Sequence, residues 1–181
     1  MKKGFTLAEV LITLVIIGVI AAMTIPTLIS STGDQEYKTG LKKAFATLNQ
    51  VVAVNSVLGD YDEASISAGS GLTDLLKDKL TIVEAPAAPA ASECGEAQEW
   101  VYTADGFRYA TTNQKNADEL NQVCVDVNGD KGPNKFMRVN PDSGKVETSG
   151  DTFILRVYSK KVAPADDTAS QIMYGRRGIR G

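Results

Sequence analysis

The sequence has no histidine, only two cysteines and one tryptophan. Histidine is the commonest general base and the commonest metal ligand, so its absence removes the usual basis for a catalytic or zinc site. No glycine-rich phosphate loop follows a strand pattern, and no cysteine cluster has metal-ligand spacing. Carboxylates are abundant, but no spacing pairs them. We therefore predict that the protein is not an enzyme.

Charge is scarce at the start of the chain. Residues 5–29 form a run of 25 residues in which Glu9 is the only charged side chain. A helix of that length spans about 37 Å, which exceeds the roughly 30 Å of a bilayer core. The apolar run is longer than that of an ordinary cleaved secretory signal. It predicts a transmembrane helix, and Lys2 and Lys3 before it predict a cytoplasmic N-terminus.

Glu9 does not suit an ordinary anchor. A carboxylate inside a transmembrane segment costs several kcal/mol unless it is paired. Cleavage between Gly4 and Phe5 would place a new ammonium group in the same apolar surroundings. In staggered neighbouring helices, Glu9 of one chain would then pair with the Phe5 amine of the next. A buried charge that needs a partner in another chain can set the register between subunits.

Residues 3–9, with the sequence KGFTLAE, and the apolar run after them resemble the class III signal of type IV pilins and type II secretion pseudopilins. The resemblance implies that a membrane-embedded prepilin peptidase cuts after Gly4 and methylates Phe5. It also implies that Glu9 acts in assembly and that Pro26 kinks the helix. The motif is highly specific, although it covers only about 25 of the 181 residues.

The resemblance implies partners and a location as well. Before assembly, the chain would be anchored in the lipid of the bacterial inner membrane, with its C-terminal domain in the periplasm. Inner-membrane machinery would then assemble it with copies of itself or with other pilins into a helical filament, in the periplasm or at the cell surface. Three hypotheses follow: a structural subunit of a type IV pilus, a pseudopilin of a type II secretion system, and a membrane-anchored binding module that does not assemble.

The predicted fold is α+β and pilin-like, with a long N-terminal helix whose second half packs against a mainly antiparallel sheet. Apolar residues recur at helical spacing through residues 37–58. The predicted segments are a leader, a transmembrane and assembly helix, an amphipathic continuation, an αβ-loop region, and a β-sheet with the C-terminal region: 1–4, 5–29, 30–58, 59–99 and 100–181. Residues 30–181 are predicted to form one globular domain.

Two predictions concern the second half of the chain. Residues 100–111 predict a hairpin with a two-residue turn at Asp105-Gly106. Its aromatic residues are predicted to form one face that packs on the helix, rather than a binding stripe for bases or glycans: Trp100, Tyr102, Phe107 and Tyr109. Residues 162–170 are polar and predict a loop.

An extracytoplasmic domain is in an oxidising compartment, so Cys94 and Cys124 are predicted to form a disulfide. In the chain-entropy model such a crosslink contributes about 3 to 4 kcal/mol to stability. The alternative is two buried thiols.

The net charge bears on possible partners. Without residues 1–4 the chain has 17 basic (19 − 2) and 22 acidic residues, a net charge of −5. This balance is typical of a soluble surface and not of a nucleic-acid-binding one.

Asp126, Asn128 and Asp130 have the spacing of the start of a calcium loop. An EF-hand also needs glycine at its sixth position and glutamate at its twelfth, but Lys131 and Met137 are found there. We therefore predict no cofactor and keep Ca²⁺ as a weak alternative to a turn whose carboxylates cap backbone amides.

The C-terminal tail is basic, with Arg176, Arg177 and Arg180. It is predicted to be solvated, and the alternative is that it docks on an acidic neighbour or on DNA phosphates.

Overall fold

The computed structural model describes residues 4–62, 70–83, 94, 97–112, 122–158 and 160–175, without the side chains at 29–31, 70, 97–99, 112 and 130. The chain divides into two compact units, Met1–Glu36 and Tyr37–Gly181. The predicted arginine tail and the leader residues 1–3 lie outside the described residues. The predicted segment boundaries stay predictions.

Helix α1, Leu7–Leu58, is 52 residues long and contains Pro26. Proline has no N–H group, so Pro26 cannot donate the usual helical hydrogen bond to the carbonyl of Ala22. The helix assignment continues through this position. The kink at Pro26 stays a prediction.

One face of α1 in the second unit supplies the core. Its buried side chains recur every three or four residues, which is the spacing of one helix face: Leu41, Ala44, Leu48, Val51 and Val52. Tyr37 and Phe45 pack partly buried against the same core. Leu58, which the sequence pattern places on this face, is 59% exposed, so that part of the prediction is wrong.

The main sheet has five antiparallel strands in the order β1-β2-β3-β6-β7. These are β1 Ala97–Tyr102, β2 Arg108–Thr112, β3 Gln122–Asp126, β6 Thr152–Val157 and β7 Val162–Pro164. A second sheet of two strands, β4 Arg138–Val139 and β5 Val146–Thr148, lies in sequence between β3 and β6. The predicted α+β arrangement of a long helix and an antiparallel sheet is confirmed.

Alternate residues of the strands face the core, as the two-residue repeat of a strand requires. The register aligns Tyr109 with Val125 and Val125 with Phe153, and all three side chains are buried. Helix α2, Ser70–Lys79, adds three leucines to the same core: Leu72, Leu75 and Leu76. The hydroxyls of Thr73 and Thr111 are 3.0 Å apart and link α2 to β2.

The hairpin between β1 and β2 differs from the prediction in its turn and in its faces. The N–H groups of Thr103 and Gly106 donate to the carbonyls of Phe107 and Thr103, both at 2.9 Å. These bonds enclose a three-residue loop, residues 104–106, that ends in Gly106 at φ 85°. A type I turn followed by a left-handed glycine is a common three-residue hairpin loop. The predicted two-residue turn is therefore wrong.

The prediction that the aromatic residues of this hairpin form a single face is also wrong. Tyr102 pairs with Arg108 and Val101 pairs with Tyr109. Because neighbouring residues of a strand point to opposite faces, Trp100 and Tyr102 lie on the face opposite Tyr109. Tyr109 alone of these three belongs to the main core.

Residues 162–170 are not a loop, which corrects a third prediction. They include β7 and the start of helix α3, Asp167–Tyr174. Asp166 caps α3, because its side chain accepts a hydrogen bond from the Ala169 N–H at 2.6 Å. Gly175 ends the helix in the left-handed conformation, with its N–H bonded to the Gln171 carbonyl at 2.8 Å. Both cap residues are visible in the sequence.

Candidate functional site

The predicted cleavage site lies just before α1. Gly4, Phe5 and Thr6 have no helical assignment. Phe5 is 90% exposed, and a Cβ built on Gly4 would meet nothing within 4 Å. Exposed backbone outside regular structure is the kind that proteases cut. The Gly4–Phe5 peptide bond is therefore accessible in the structure.

Thr6 and Glu9 form a capping box at the start of α1. The Glu9 N–H donates to the Thr6 hydroxyl oxygen at 3.2 Å. In return, the Glu9 Oε2 atom accepts from the Thr6 N–H and from the Thr6 hydroxyl, both at 2.8 Å. This reciprocal pattern satisfies two donors that would otherwise lack partners at a helix start. The Thr-x-x-Glu spacing signals it in the sequence, although our sequence interpretation did not use it.

The capping box directs the Glu9 carboxylate back towards the end of the helix at which cleavage is predicted. Its Oε2 atom contacts Thr6, which is the residue directly after Phe5. Among the described residues, Oε1 of Glu9 has no hydrogen-bond partner. The pairing of Glu9 with the Phe5 amine of a neighbouring chain stays a prediction.

The apolar segment of α1 exposes its side chains on all sides. Four consecutive residues, which point about 100° apart around the helix, are all exposed: Leu14 at 59%, Val15 at 66%, Ile16 at 53% and Ile17 at 62%. A helix that is apolar all round is covered in its working state by lipid or by protein. By length and composition alone, this helix can cross a membrane.

Two threonine side chains in this segment bond to their own helix. The Thr13 hydroxyl donates to the Val10 carbonyl at 2.9 Å, and the Thr24 hydroxyl donates to the Ile20 carbonyl at 3.0 Å. An unsatisfied hydroxyl is costly in an apolar medium. These internal bonds make the segment compatible with an apolar environment.

Arg108 forms a polar cluster on the face of the main sheet opposite α1. Its side chain is buried, with 1% of the residue exposed. The Nη2 group donates to the Asp126 carboxylate, to the Gly129 carbonyl, and to Asn134 Oδ1 at 2.9 Å. The guanidinium carbon lies 5.6 Å and 5.9 Å from the ring centroids of Trp100 and Tyr102. The sequence interpretation missed Arg108, whose signal is a charge at the start of a strand whose other residues are uncharged.

Asp126 connects this cluster to the turn that follows β3. Its Oδ1 atom accepts from the Asn128 N–H at 3.1 Å and the Gly129 N–H at 3.0 Å, while Oδ2 faces Arg108. Burial raises the pKa of the Asp126 carboxyl, and the Asn128 N–H and the Arg108 guanidinium oppose that rise. The Asn128 side chain donates to the Gly132 carbonyl at 2.9 Å. The side chain of Asp130 lies outside the described residues.

Asp151 holds the other end of the turn. Its two oxygens accept from the Asn134 N–H at 3.0 Å and the Lys135 N–H at 3.1 Å, and the residue is fully buried. Gly150 before it lies against backbone, since a Cβ there would be 2.3 Å from the Lys135 carbonyl oxygen. These contacts explain the Gly-Asp pair that precedes β6.

Cys94 and Cys124 are joined by a disulfide, with their Cα atoms 5.9 Å apart. With Ala110 they form a small second core, against which Trp100 and Phe136 pack partly buried. The predicted disulfide is present in the structure. It ties the segment before β1 to the centre of the sheet.

A cleft of about 250 Å³ lies beside the β1–β2 loop and is lined by Thr47, Leu80, Thr81, Thr103, Asp105 and Tyr109. Its carboxylate is paired, because Asp105 lies 2.9 Å from the Lys43 ammonium. In the part of the chain that the structure describes, no three Cys, Asp or Glu side chains are grouped to hold a metal ion. The described residues therefore favour the N-terminal segment over this cleft as the functional site.

Comparison with known proteins supports that choice. Residues 1–25 match the family model for the prokaryotic N-terminal methylation motif. No curated protein and no solved structure matches the chain significantly. The predicted prepilin-type signal is confirmed, and together with the apolar helix it indicates membrane anchoring before assembly. The chain thus carries, on an α+β pilin-like fold, the N-terminal signal of type IV pilins and pseudopilins, which indicates a structural, non-enzymatic subunit.

Proposed function

We propose that the chain is the prepilin of a structural subunit in a type IV pilus-like filament. The observation that carries the proposal is the methylation motif at residues 1–25, which overlaps the exposed, mostly apolar first segment of α1. The prepilin signal implies processing by a prepilin peptidase and assembly with pilins. Our finer proposal is that the filament is a pilus and not the pseudopilus of a secretion system.

Processing would take place at the exposed backbone before α1. Water hydrolyses the Gly4–Phe5 bond, leaving a carboxylate on Gly4 and a free amine on Phe5, and a methyl donor then methylates that amine. The capping box supports this proposal because Thr6 caps the start of α1, so the scissile bond lies before the helix. The peptidase would therefore not need to unwind α1.

Assembly would cover the apolar side chains that the single chain exposes. Burial of apolar surface contributes about 25 cal/mol per Å² relative to water, so this segment is stable only in lipid or among similar helices. Before assembly, the N-terminus would be cytoplasmic and the second unit periplasmic. The inner-membrane machinery would then move the helix from lipid into a bundle with other subunits, with Glu9 of one subunit facing the Phe5 amine of another.

The first experiment is the intact mass and N-terminal sequence of the full chain expressed with and without a prepilin peptidase. We expect a mature chain that begins with methylated Phe5 only when the peptidase is present. Gly4→Leu should prevent cleavage because it places a large side chain at the scissile bond. Gly18→Ala is the matched control, since a Cβ there also meets nothing within 4 Å. A wild-type chain that keeps Met1 in the presence of active peptidase would contradict the proposal.

The second experiment separates the three hypotheses in the source bacterium. Surface fibres that contain the processed chain would support the pilus. Loss of protein secretion on deletion, without loss of fibres, would favour a pseudopilin, and a processed chain that stays monomeric in the membrane would favour an anchored module. Glu9→Gln should be processed yet excluded from fibres, whereas the exposed control Glu36→Gln should assemble normally.

A further inference from the structure

We propose that the Arg108 guanidinium is the cation around which the turn of residues 126–134 folds, so that this turn needs no bound calcium. The Asp126-x-Asn128-x-Asp130 spacing resembles the start of a calcium loop. Calcium takes six to eight oxygen ligands that converge on one point. In the structure, three oxygens of this turn converge instead on a nitrogen of Arg108. The Asn128 Oδ1 atom is buried and, among the described residues, has no hydrogen-bond partner.

Three oxygens of different chemical type surround that nitrogen. They belong to the Asp126 carboxylate, the Gly129 backbone carbonyl and the Asn134 side-chain amide. Carboxylate, backbone carbonyl and amide oxygens are also the ligand types of calcium loops. Asn134 adopts φ 52°, a left-handed conformation that is unusual outside glycine. The turn is thus shaped to direct oxygens at a positive charge, and the chain itself supplies that charge.

The sheet fixes the position of this charge. Arg108 on β2 and Asp126 on β3 are directly paired in the antiparallel register, so their side chains share a face. The rings of Trp100 and Tyr102 lie within 6 Å of the guanidinium carbon, at distances that favour cation–π attraction. The cation is therefore held by side chains of β1, β2 and β3 as well as by the turn.

The remaining ligand capacity of Asp126 does not suit a metal. Its Oδ1 atom already accepts two backbone N–H groups, those of Asn128 and Gly129. A divalent ion that entered the cluster would displace these donors and would lie beside a buried guanidinium of the same sign. Asp126 therefore does not suit calcium while Arg108 is in place.

The test measures thermal unfolding of the full chain in mild detergent, once with CaCl₂ and once with excess EDTA. The CaCl₂ concentration is about 5 mM, which is roughly ten times the Kd of a weak calcium loop. We expect the wild-type Tm to be the same in both. Arg108→Met should lower the Tm by roughly 10 °C, because it leaves Asp126 buried without its cation. The exposed arginine of β4 provides the matched control, and Arg138→Met should change the Tm by less than about 2 °C.

Two further variants keep the test decisive if Arg108→Met does not fold. Arg108→Lys retains the charge but lacks the planar fork, so its Tm should fall between those of wild type and Arg108→Met. Arg108→Met combined with Asp126→Asn should be more stable than Arg108→Met alone, because the unpaired charge is removed. A calcium-dependent rise in the wild-type Tm that Asp126→Asn abolishes would overturn the proposal. Equal Tm losses in Arg108→Met and Arg138→Met would also overturn it.

Discussion

Val127 packs directly against the backbone of Gly40, and a Cβ added to Gly40 would lie 2.8 Å from the Val127 Cβ. Glycine in a helix interior costs about 1 kcal/mol relative to alanine. Here it allows the residue after β3 to approach α1 more closely than any side chain at position 40 would permit. The close packing offsets a loss of helix propensity that is visible in the sequence.

Gly40→Ala should therefore destabilise the chain, although alanine is the better helix former. We expect a net loss of about 1 to 2 kcal/mol, because overpacking next to a β-branched residue outweighs the gain in propensity. Chemical denaturation in mild detergent measures this free energy of unfolding. Val127→Ala should make room for the new methyl group, so the double variant should be more stable than the sum of the single losses predicts. Additive losses would contradict the contact.

Gly150→Ala should be more damaging, because the atoms that a Cβ would meet are backbone atoms. They are the Lys135 carbonyl oxygen at 2.3 Å and the Met137 nitrogen at 2.6 Å. We expect a loss of about 3 kcal/mol or more, since the Asp151 hydrogen bonds would shift as well. Gly175→Ala is the comparison: its φ is 67° but the space around it is open, so it should cost only about 1 kcal/mol. Similar losses in the two variants would argue against the close approach at Gly150.

Tyr109 should make the protein sensitive to alkaline pH. The residue is 1% exposed, and among the described residues its hydroxyl has no hydrogen-bond partner. Burial raises the pKa of the phenol, and the nearby Asp105 charge raises it further. The unfolded chain then loses this proton at a lower pH than the folded chain, so the free energy of unfolding falls as the pH rises above about 10.

Tyr109→Phe removes both the phenol and its unpaired hydroxyl. We expect the variant to be at least as stable as wild type at pH 7, with a gain of up to about 1 kcal/mol in the free energy of unfolding. It should also lose less stability than wild type between about pH 9 and about pH 11, which is roughly one unit either side of the ordinary phenol pKa. The control is Tyr174→Phe, which removes a phenol that is 52% exposed. An unchanged alkaline slope in Tyr109→Phe would contradict the assignment.

The disulfide should resist reduction in the folded state. Cys124 is fully buried and Cys94 is 6% exposed, so a reductant reaches the bond only after local opening. Replacing both cysteines with alanine should cost about 3 to 4 kcal/mol. Thiol titration of the native chain should detect no free thiol without denaturant, and the double variant should show the same stability with and without reductant. Two titratable thiols in native wild-type protein would contradict the bond.

The N-terminal signal and the class of fold follow from the sequence because local rules fix them. A long apolar run predicts its helix by composition, and Leu41, Leu48 and Val52 show the buried face by their spacing. The caps of α3 at Asp166 and Gly175 obey equally local rules, so the missed helix was predictable. The Thr6–Glu9 capping box was predictable for the same reason.

The hairpin face and the arginine cluster depend on register, which the sequence does not display. A three-residue loop instead of a two-residue turn changes which residues face each other across the hairpin, and this places Tyr102 opposite Arg108. The convergence of Gly129 and Asn134 on Arg108 needs the pairing of three strands and the course of the turn. Such long-range relationships can be described only once the strands are aligned.

The threonines of the apolar segment bear on how easily it changes its surroundings. The hydroxyls of Thr13 and Thr24 donate hydrogen bonds to carbonyls of their own helix. A segment built this way carries its hydrogen bonds with it when it moves. Under the proposed assembly, withdrawal from lipid into a bundle of similar helices would exchange one apolar contact for another without breaking either of these bonds.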